Sequence, residues 1–215
     1  MKANLIYATT LILIVFGIII EISFWYNLQY AAQAPVVVGP LSISLAPEVE
    51  TILMRKIKLI EILLKDPAII DEVKKANEAH KNVSQNDIAK FDALWISASL
   101  DDPMFKPFLA NQAAIKLIEF QETNVGFSEI FITDVYGLNV AITNKTSDYY
   151  QADEDWWTQS YNKGDGGAWH GPIEFDQSAQ TEGISLYAPI NDPQTQKTIG
   201  IAKAVLTLSA IKFEL

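Results

Sequence analysis

The sequence of 215 residues predicts an α+β fold, with helices first and an antiparallel sheet after them. Apolar residues recur at three- and four-residue spacing through the first 120 residues, which is the period of amphipathic helices. After residue 126 the period changes, and short runs rich in β-branched and aromatic residues alternate with turn formers. A long apolar stretch near the N-terminus adds a membrane segment to this fold.

The N-terminal stretch has the composition of a transmembrane helix. Leu5–Tyr26 carries a single charge and would span roughly 30 Å as a helix, which matches a bilayer core. Ala32–Ala34 resembles a signal-peptide cleavage site, but Pro35 would follow the scissile bond. We therefore predict an uncleaved single-pass anchor over residues 1–27. An extended, proline-containing linker then covers residues 28–47, and a single domain covers residues 48–215.

The distribution of positive charge predicts the orientation of this anchor. Lys2 is the only basic side chain before the apolar stretch, and the next basic residue is Arg55. Because basic residues stay in the cytoplasm, we predict a cytoplasmic N-terminus and an external C-terminal domain.

Composition excludes several classes of function. A formal net charge of −10 and the lack of a basic patch argue against a partner of nucleic acid or anionic lipid. The chain has no cysteine and two histidines, so thiol chemistry and the usual zinc sites are not expected. No P-loop, dinucleotide fingerprint or nucleophile elbow is present. We predict a protein that is not an enzyme and carries no cofactor.

The helices are predicted over residues 48–122. The first apolar stripe runs from 48 to about 79 and passes Asp66-Pro67, so it forms either one kinked helix or two helices in series. Ser84 and Asp87 make a capping pair that begins the next helix. A third helix is predicted over Phe105–Glu122, after the break at Asp102-Pro103.

The sheet is predicted over residues 127–208. Its five strands are Phe127–Thr133, Leu138–Thr143, Gly167–Phe175, Gly183–Ile190 and Thr198–Leu208. A tight turn at Asp134–Gly137 joins the first two strands, whereas the long segment Asn144–Gly166 joins the second and third.

The candidate site lies in that long segment. Asp148–Trp157 contains four aromatic residues and four carboxylates in ten positions. Large aromatic residues seek burial or a ligand, and an aromatic box with a polar rim suits a small molecule. The alternative is a polar turn whose tryptophans fold under into the core.

Several blocks of the sequence resemble Cache sensor domains, the extracytoplasmic PAS-like modules of bacterial receptors. Phe131–Ala141 resembles their opening hairpin, Tyr149–Trp157 their binding loop, and Ile184–Pro189 with Thr198–Ile201 their last strands. The resemblance covers roughly residues 45–212. It implies a PAS-like sheet, a ligand site under the loop after the second strand, and a bacterial inner membrane protein whose domain is periplasmic or extracellular.

The resemblance also implies which ligand to doubt. Amino-acid-binding members carry an arginine where this chain has Glu154, and an aspartate near the last strand, where Ile201–Leu208 has no acid. Carboxylates beside aromatic faces suit a cationic amine instead. A neutral or polar ligand, an empty structural pocket and a calcium site at Asp153–Asp155 remain open. The predicted ligand-binding residues are Tyr149, Tyr150, Asp153, Glu154, Asp155, Trp156, Trp157, Trp169 and Asp176.

The sequence after the sheet contains no return span and no transmitter. We therefore expect a module that binds a small solute and acts through another membrane protein. The alternative is an accessory subunit of a larger membrane complex, whose helix packs in the assembly and whose domain covers its outer face. Homodimer formation along the long helix is compatible with both.

Overall fold

A computed structural model describes residues 45–215 of the chain. The predicted anchor and most of the predicted linker lie outside these residues. From residue 45 to residue 215 no helix is long and apolar enough to cross a membrane. The described residues form helices first and then a five-stranded antiparallel sheet, which confirms the α+β fold class.

The first predicted stripe forms two helices in series, α1 (Pro47–Leu63) and α2 (Pro67–His80). The backbone of Asp66 is extended, and its carboxylate accepts a hydrogen bond of 2.8 Å from the Ala68 N–H. A side-chain cap followed by proline is a strong helix start. The local sequence therefore ends one helix and begins the next.

The third helix, α3 (Gln85–Ser97), begins at the predicted cap. The Asp87 N–H donates to the Ser84 hydroxyl oxygen over 3.2 Å, and this hydroxyl donates to the Asp87 carboxylate over 2.7 Å. The Ser84 hydroxyl and the Asp87 N–H at the start of the helix are thus hydrogen-bond partners of one another.

The prediction of one helix over Phe105–Glu122 is wrong. This region contains a short 3₁₀ turn and two α-helices, namely Pro103–Phe105, α4 (Lys106–Leu109) and α5 (Gln112–Thr123). Asn111 causes the break, because its side-chain oxygen caps α5 at the Ala114 N–H, over 2.8 Å. Its side-chain nitrogen donates to the Val140 carbonyl oxygen, also over 2.8 Å, which ties the break to the sheet.

The five strands are β1 (Phe127–Asp134), β2 (Asn139–Ile142), β3 (Trp169–Asp176), β4 (Thr181–Asn191) and β5 (Thr198–Thr207). Their order in the sheet is β2-β1-β5-β4-β3, with every neighbouring pair antiparallel. A short helix, α6 (Asp155–Tyr161), lies in the segment between β2 and β3, and α7 (Leu208–Glu214) follows β5.

The two faces of the sheet differ in chemistry. One face packs Ile132, Leu186, Ala204 and neighbouring apolar residues against α1, α2 and α5. Each fully buried isoleucine or leucine contributes roughly 1.5–3 kcal/mol, so this layer holds the domain together. Phe131 points to the opposite face, where part of the sheet is covered by an aromatic cluster from α3 and the turn before α4. The rest of that face carries the aromatic rings of Trp169 and Tyr187 together with the charged side chains of Asp176 and Lys203.

Candidate functional site

The segment between β2 and β3 is fastened to the β1–β2 turn. The Gln151 N–H donates to the Gly137 carbonyl oxygen over 2.8 Å, and the Asn139 N–H donates to the Tyr149 carbonyl oxygen over 3.1 Å. Beyond this point the chain forms α6, which packs against β4 and β5. The two halves of the predicted aromatic stretch therefore meet different surroundings.

Tyr149 and Tyr150 lie in the part of this segment that contacts helix α3, and they do not line the cavity described below. Tyr149 is buried, with its ring centroid 4.6 Å from that of Phe91 and 5.4 Å from that of Trp95. The N–H groups of both tyrosines donate to the Asp92 carboxylate, over 2.7 and 3.1 Å. These contacts hold the segment on α3.

The side chain of Trp157, a residue of α6, points toward strand β1. Its indole N–H donates to the Thr133 hydroxyl oxygen over 2.8 Å, and its ring stacks on Tyr161 with centroids 4.9 Å apart. The side chain is buried and does not line the cavity. For this residue the structure agrees with the alternative in which tryptophan enters the core.

A cavity of about 590 Å³ lies between α6, the segment before it, and strands β3, β4 and β5. Six of the nine predicted ligand-binding residues line it: Asp153, Glu154, Asp155, Trp156, Trp169 and Asp176. The structure thus brings together acids and aromatic rings that are separated by more than twenty positions in the sequence.

One wall of the cavity is aromatic. Tyr187 on β4 packs against Trp156, with centroids 5.1 Å apart and planes 12° apart, and against Trp169, with centroids 4.6 Å apart. The Trp169 indole N–H donates to the Ser160 hydroxyl oxygen over 2.9 Å, which fixes the ring against α6. Burial raises the pKa of Tyr187, so its phenol is neutral at physiological pH.

The rim of the cavity is acidic. Asp153, Glu154 and Asp155 at the start of α6 face Glu174 on β3, and all four side chains are exposed. Water and salt screen each of these charges individually. Together they still give the entrance a negative potential, which attracts cations and repels anions.

The floor of the cavity carries an ion pair. The Lys203 ammonium lies 3.0 Å from Asp176 Oδ2 and 5.8 Å from the ring centroids of both Phe131 and Trp156. Asp176 Oδ1 accepts from the Ser178 hydroxyl over 2.7 Å and from the Ala179 N–H over 2.9 Å. Burial acts to raise the pKa of Asp176, but Lys203 and these donors lower it below its usual value.

The ion pair leaves free hydrogen-bond donors at the floor. An ammonium group has three N–H donors, and Lys203 uses one of them on Asp176 Oδ2. Lys203 can therefore donate to an acceptor group of a bound solute.

The sequence prediction missed Lys203, Glu129 and Tyr187. Lys203 is the single charged residue of the last strand, and Glu129 is the charged residue inside the first strand, whose other acid, Asp134, stands at its end. A charge inside an apolar strand is costly unless it is paired, and this signal could have identified both residues. Tyr187 has no comparable signal, because its role depends on two tryptophans from α6 and β3.

Neither histidine lines the cavity. His80 Nδ1 lies 2.6 Å from Asp134 Oδ2, and His170 Nε2 lies 2.9 Å from Glu50 Oε2. Across residues 45–215 there is no group of three histidine or acidic side chains placed to hold a metal ion.

No family model matches the sequence. No curated protein matches it either.

Solved structures similar to this chain include the ligand-binding domain of the Campylobacter jejuni chemoreceptor Tlp3 in complex with 4-methylisoleucine. The TM-score is 0.40 and the identity is 12%, and the match covers 79% of this chain and 64% of that one. Two Pseudomonas chemoreceptor domains are also similar. CtaA of P. fluorescens with L-serine has a TM-score of 0.42 and 14% identity, covering 78% and 56%. PctC of P. aeruginosa PAO1 with GABA has a TM-score of 0.43 and 12% identity, covering 78% and 60%.

This chain is similar to chemoreceptor sensor domains. The chain spans 56 to 64% of the length of these domains. With TM-scores of 0.40 to 0.43, these similarities carry no ligand over to this chain.

Proposed function

We propose that this chain is an extracytoplasmic sensor-type module, anchored by residues 1–27, that binds a small cationic amine and acts through a partner membrane protein. The observation that carries the binding role is the cavity, which combines a rim of four exposed carboxylates with the aromatic wall of Trp156, Tyr187 and Trp169. Carboxylates pair with an ammonium group, and aromatic faces attract it and pack against its apolar part.

The floor narrows the class of solute. Lys203 repels a second cation at depth and offers hydrogen-bond donors, so the inner end of the solute should carry a hydroxyl, carbonyl or carboxylate oxygen. The solute that fits best has a positive amine at the rim, an apolar body against the wall and an acceptor at the floor.

Binding can be tested by calorimetry and thermal unfolding of the full chain in mild detergent. Tyramine has an amine, a ring and a hydroxyl, and 4-ethylphenol is the matched compound without the amine. A ligand at 100 times its dissociation constant should stabilise the fold by about 2.7 kcal/mol. Stabilisation by tyramine and not by 4-ethylphenol supports the proposal. If tyramine fails to bind, the amine-binding role is wrong.

One observation favours the second candidate, an accessory subunit of a membrane complex. Val125 and Phe213 are 84% and 92% exposed, and a Cβ atom at Gly126, next to Val125, would lie 2.4 Å from Ala210 Cβ in α7. Apolar side chains exposed around one helix suit a protein partner. Co-purification of membrane neighbours that is lost in Phe213→Ser, with amine binding absent, would support this candidate instead.

A further inference from the structure

The carboxyl group of Glu129 lies directly behind the cavity floor. Its side chain is fully buried on β1, and Oε1 lies 3.0 Å from the hydroxyl oxygen of Ser178, which lines the cavity. The other oxygen, Oε2, is buried and has no hydrogen-bond partner within residues 45–215. A buried carboxylate with an unpaired oxygen is costly. Binding of an amine at the rim does not by itself explain this group.

Ser178 cannot serve two carboxylates at once. Its hydroxyl oxygen is within hydrogen-bond distance of Glu129 Oε1, at 3.0 Å, and of Asp176 Oδ1, at 2.7 Å, yet a hydroxyl has one proton to donate. If Glu129 is protonated on Oε1, it donates to Ser178, which donates to Asp176. Each of the two hydrogen bonds, from Glu129 to Ser178 and from Ser178 to Asp176, then contains one proton. The geometry thus favours a neutral Glu129 beside the ionised Asp176.

The surrounding charges agree with this arrangement. Burial, and next the charge of Asp176 on β3, raise the pKa of Glu129 to about 7. The Ser178 hydroxyl and Lys203 on β5 oppose the shift, and Asp148, in the segment before α6, adds to it. Asp176, Lys203 and Asp148 are the charged groups that act on Glu129 in the described structure, and with a pKa of about 7 its ionisation falls in the physiological range.

We propose that the cavity takes up its cationic ligand with release of the proton held by Glu129. This inference rests on the proposed function. A cation in the cavity lies in the field of the buried carboxyl group and favours its ionised form. Ligand binding should therefore release a proton to solvent, and affinity should rise as pH rises. The site would report both the concentration of the amine and the pH outside the membrane.

Titration calorimetry of the full chain with tyramine tests the linkage, in buffers of different ionisation enthalpy from about pH 6 to about pH 8. We expect affinity to rise about five- to tenfold across this range. A tenfold rise corresponds to release of about half a proton per ligand near pH 6.5. Glu129→Gln keeps the shape of the side chain and removes the proton, so it should bind with a nearly constant affinity.

Asp148→Asn is the matched control. Burial and the neighbouring Asp92 raise the pKa of Asp148 to about 6, so this residue also titrates near neutrality. The Asp148→Asn variant should keep the proton release that Glu129→Gln loses. Loss of the release in Asp148→Asn with retention in Glu129→Gln would assign the proton to the other carboxyl group and overturn the proposal.

The remaining outcomes separate the linkage from the binding. Tyramine binding without proton release overturns the linkage and leaves the amine-binding role intact, whereas no binding at any pH overturns both. If Glu129→Gln does not fold, the ¹³C carboxyl resonance of Glu129 in the unmodified chain decides. Its midpoint should lie near pH 7 and move down by up to about one unit with tyramine. An unchanged midpoint overturns the proposal.

Discussion

Lys203 and Asp176 form an ion pair that reaches across strand β4. The ammonium on the central strand β5 lies 3.0 Å from the carboxylate on the edge strand β3, and their side chains are 15% and 6% exposed. The pair therefore joins the edge of the sheet to its centre on the face that bears the cavity. Its strength affects both the stability of the fold and the shape of the site.

Lys203→Met should destabilise the domain strongly. It leaves the Asp176 carboxylate buried without its cation, and breaking a buried pair in this way costs about 3 kcal/mol. Urea unfolding measures this change. The double variant Lys203→Met with Asp176→Asn should be more stable than the sum of the single effects predicts. Lys58→Met, which removes an exposed pair with Glu61, is the control and should change little.

Local signals in the sequence predicted where elements begin. Asp66-Pro67 and the Ser84 cap act within one turn of helix, so their effect follows from adjacent residues. The break before α5 was missed because Asn111 gains its second partner, the Val140 carbonyl group, from a strand that comes 29 residues later. Contacts of that range have no signature in a local pattern.

The same limit explains the candidate site. The stretch Asp148–Trp157 was predicted as one aromatic box, but its rings lie in separate places. Tyr149 packs on Trp95. Trp157 donates a hydrogen bond to Thr133, whereas Trp156 stacks on Tyr187. Composition indicates that such rings must be buried, but the residues that bury each ring depend on tertiary packing. The charges of the rim were predictable because acids at the start of a helix stay in water.

Trp156→Ala should lower ligand affinity, whereas Trp157→Phe should lower the stability of the fold. Trp156 forms the cavity wall against Tyr187, so its removal should lower tyramine affinity about tenfold, the value of a cation–π or stacking contact. Trp157→Phe removes a buried hydrogen bond to Thr133 and should cost about 1 kcal/mol in stability, with affinity unchanged. Calorimetry and urea unfolding of both variants check this. A loss of affinity confined to Trp157→Phe would contradict the placement of the two rings.

Neutralising the rim should weaken amine binding in small steps. Asp153→Asn, Glu154→Gln and Asp155→Asn each remove one exposed charge, worth about two- to threefold in affinity. The triple variant should lose about tenfold, and the loss should shrink as salt is raised. Glu122→Gln on α5, an exposed acid of the helical layer, is the matched control. An equal loss in the control would show that only the net charge of the chain matters.

Gly137→Ala should loosen the segment that bears the site. Gly137 has φ +75°, and a Cβ atom there would lie 2.6 Å from the Ala152 backbone nitrogen. A side chain at this position must therefore push away the segment that the Gly137 carbonyl group holds through Gln151. We expect a loss of about 2 kcal/mol and faster amide exchange over residues 148–157. Gly167→Ala, where a Cβ atom meets nothing within 4 Å, is the control.

Glu129 should make the fold less stable as pH rises toward neutrality. Its pKa is about 7 in the folded chain against an ordinary value of 4.5, so between these values the folded state holds a proton that the unfolded chain has lost. Stability falls with pH wherever the folded state binds more protons, here by up to about 1.4 kcal/mol per unit. The destabilisation by Glu129 is absent below about pH 4 and constant above about pH 8.

Urea unfolding of the unmodified chain and of Glu129→Gln, compared across this pH range, isolates the effect, because the contributions of the other titratable groups cancel in the difference. The difference in unfolding free energy should shift steadily in favour of the glutamine variant from about pH 4.5 to about pH 7. A difference that does not change with pH would show that Glu129 is ionised throughout, with an ordinary pKa.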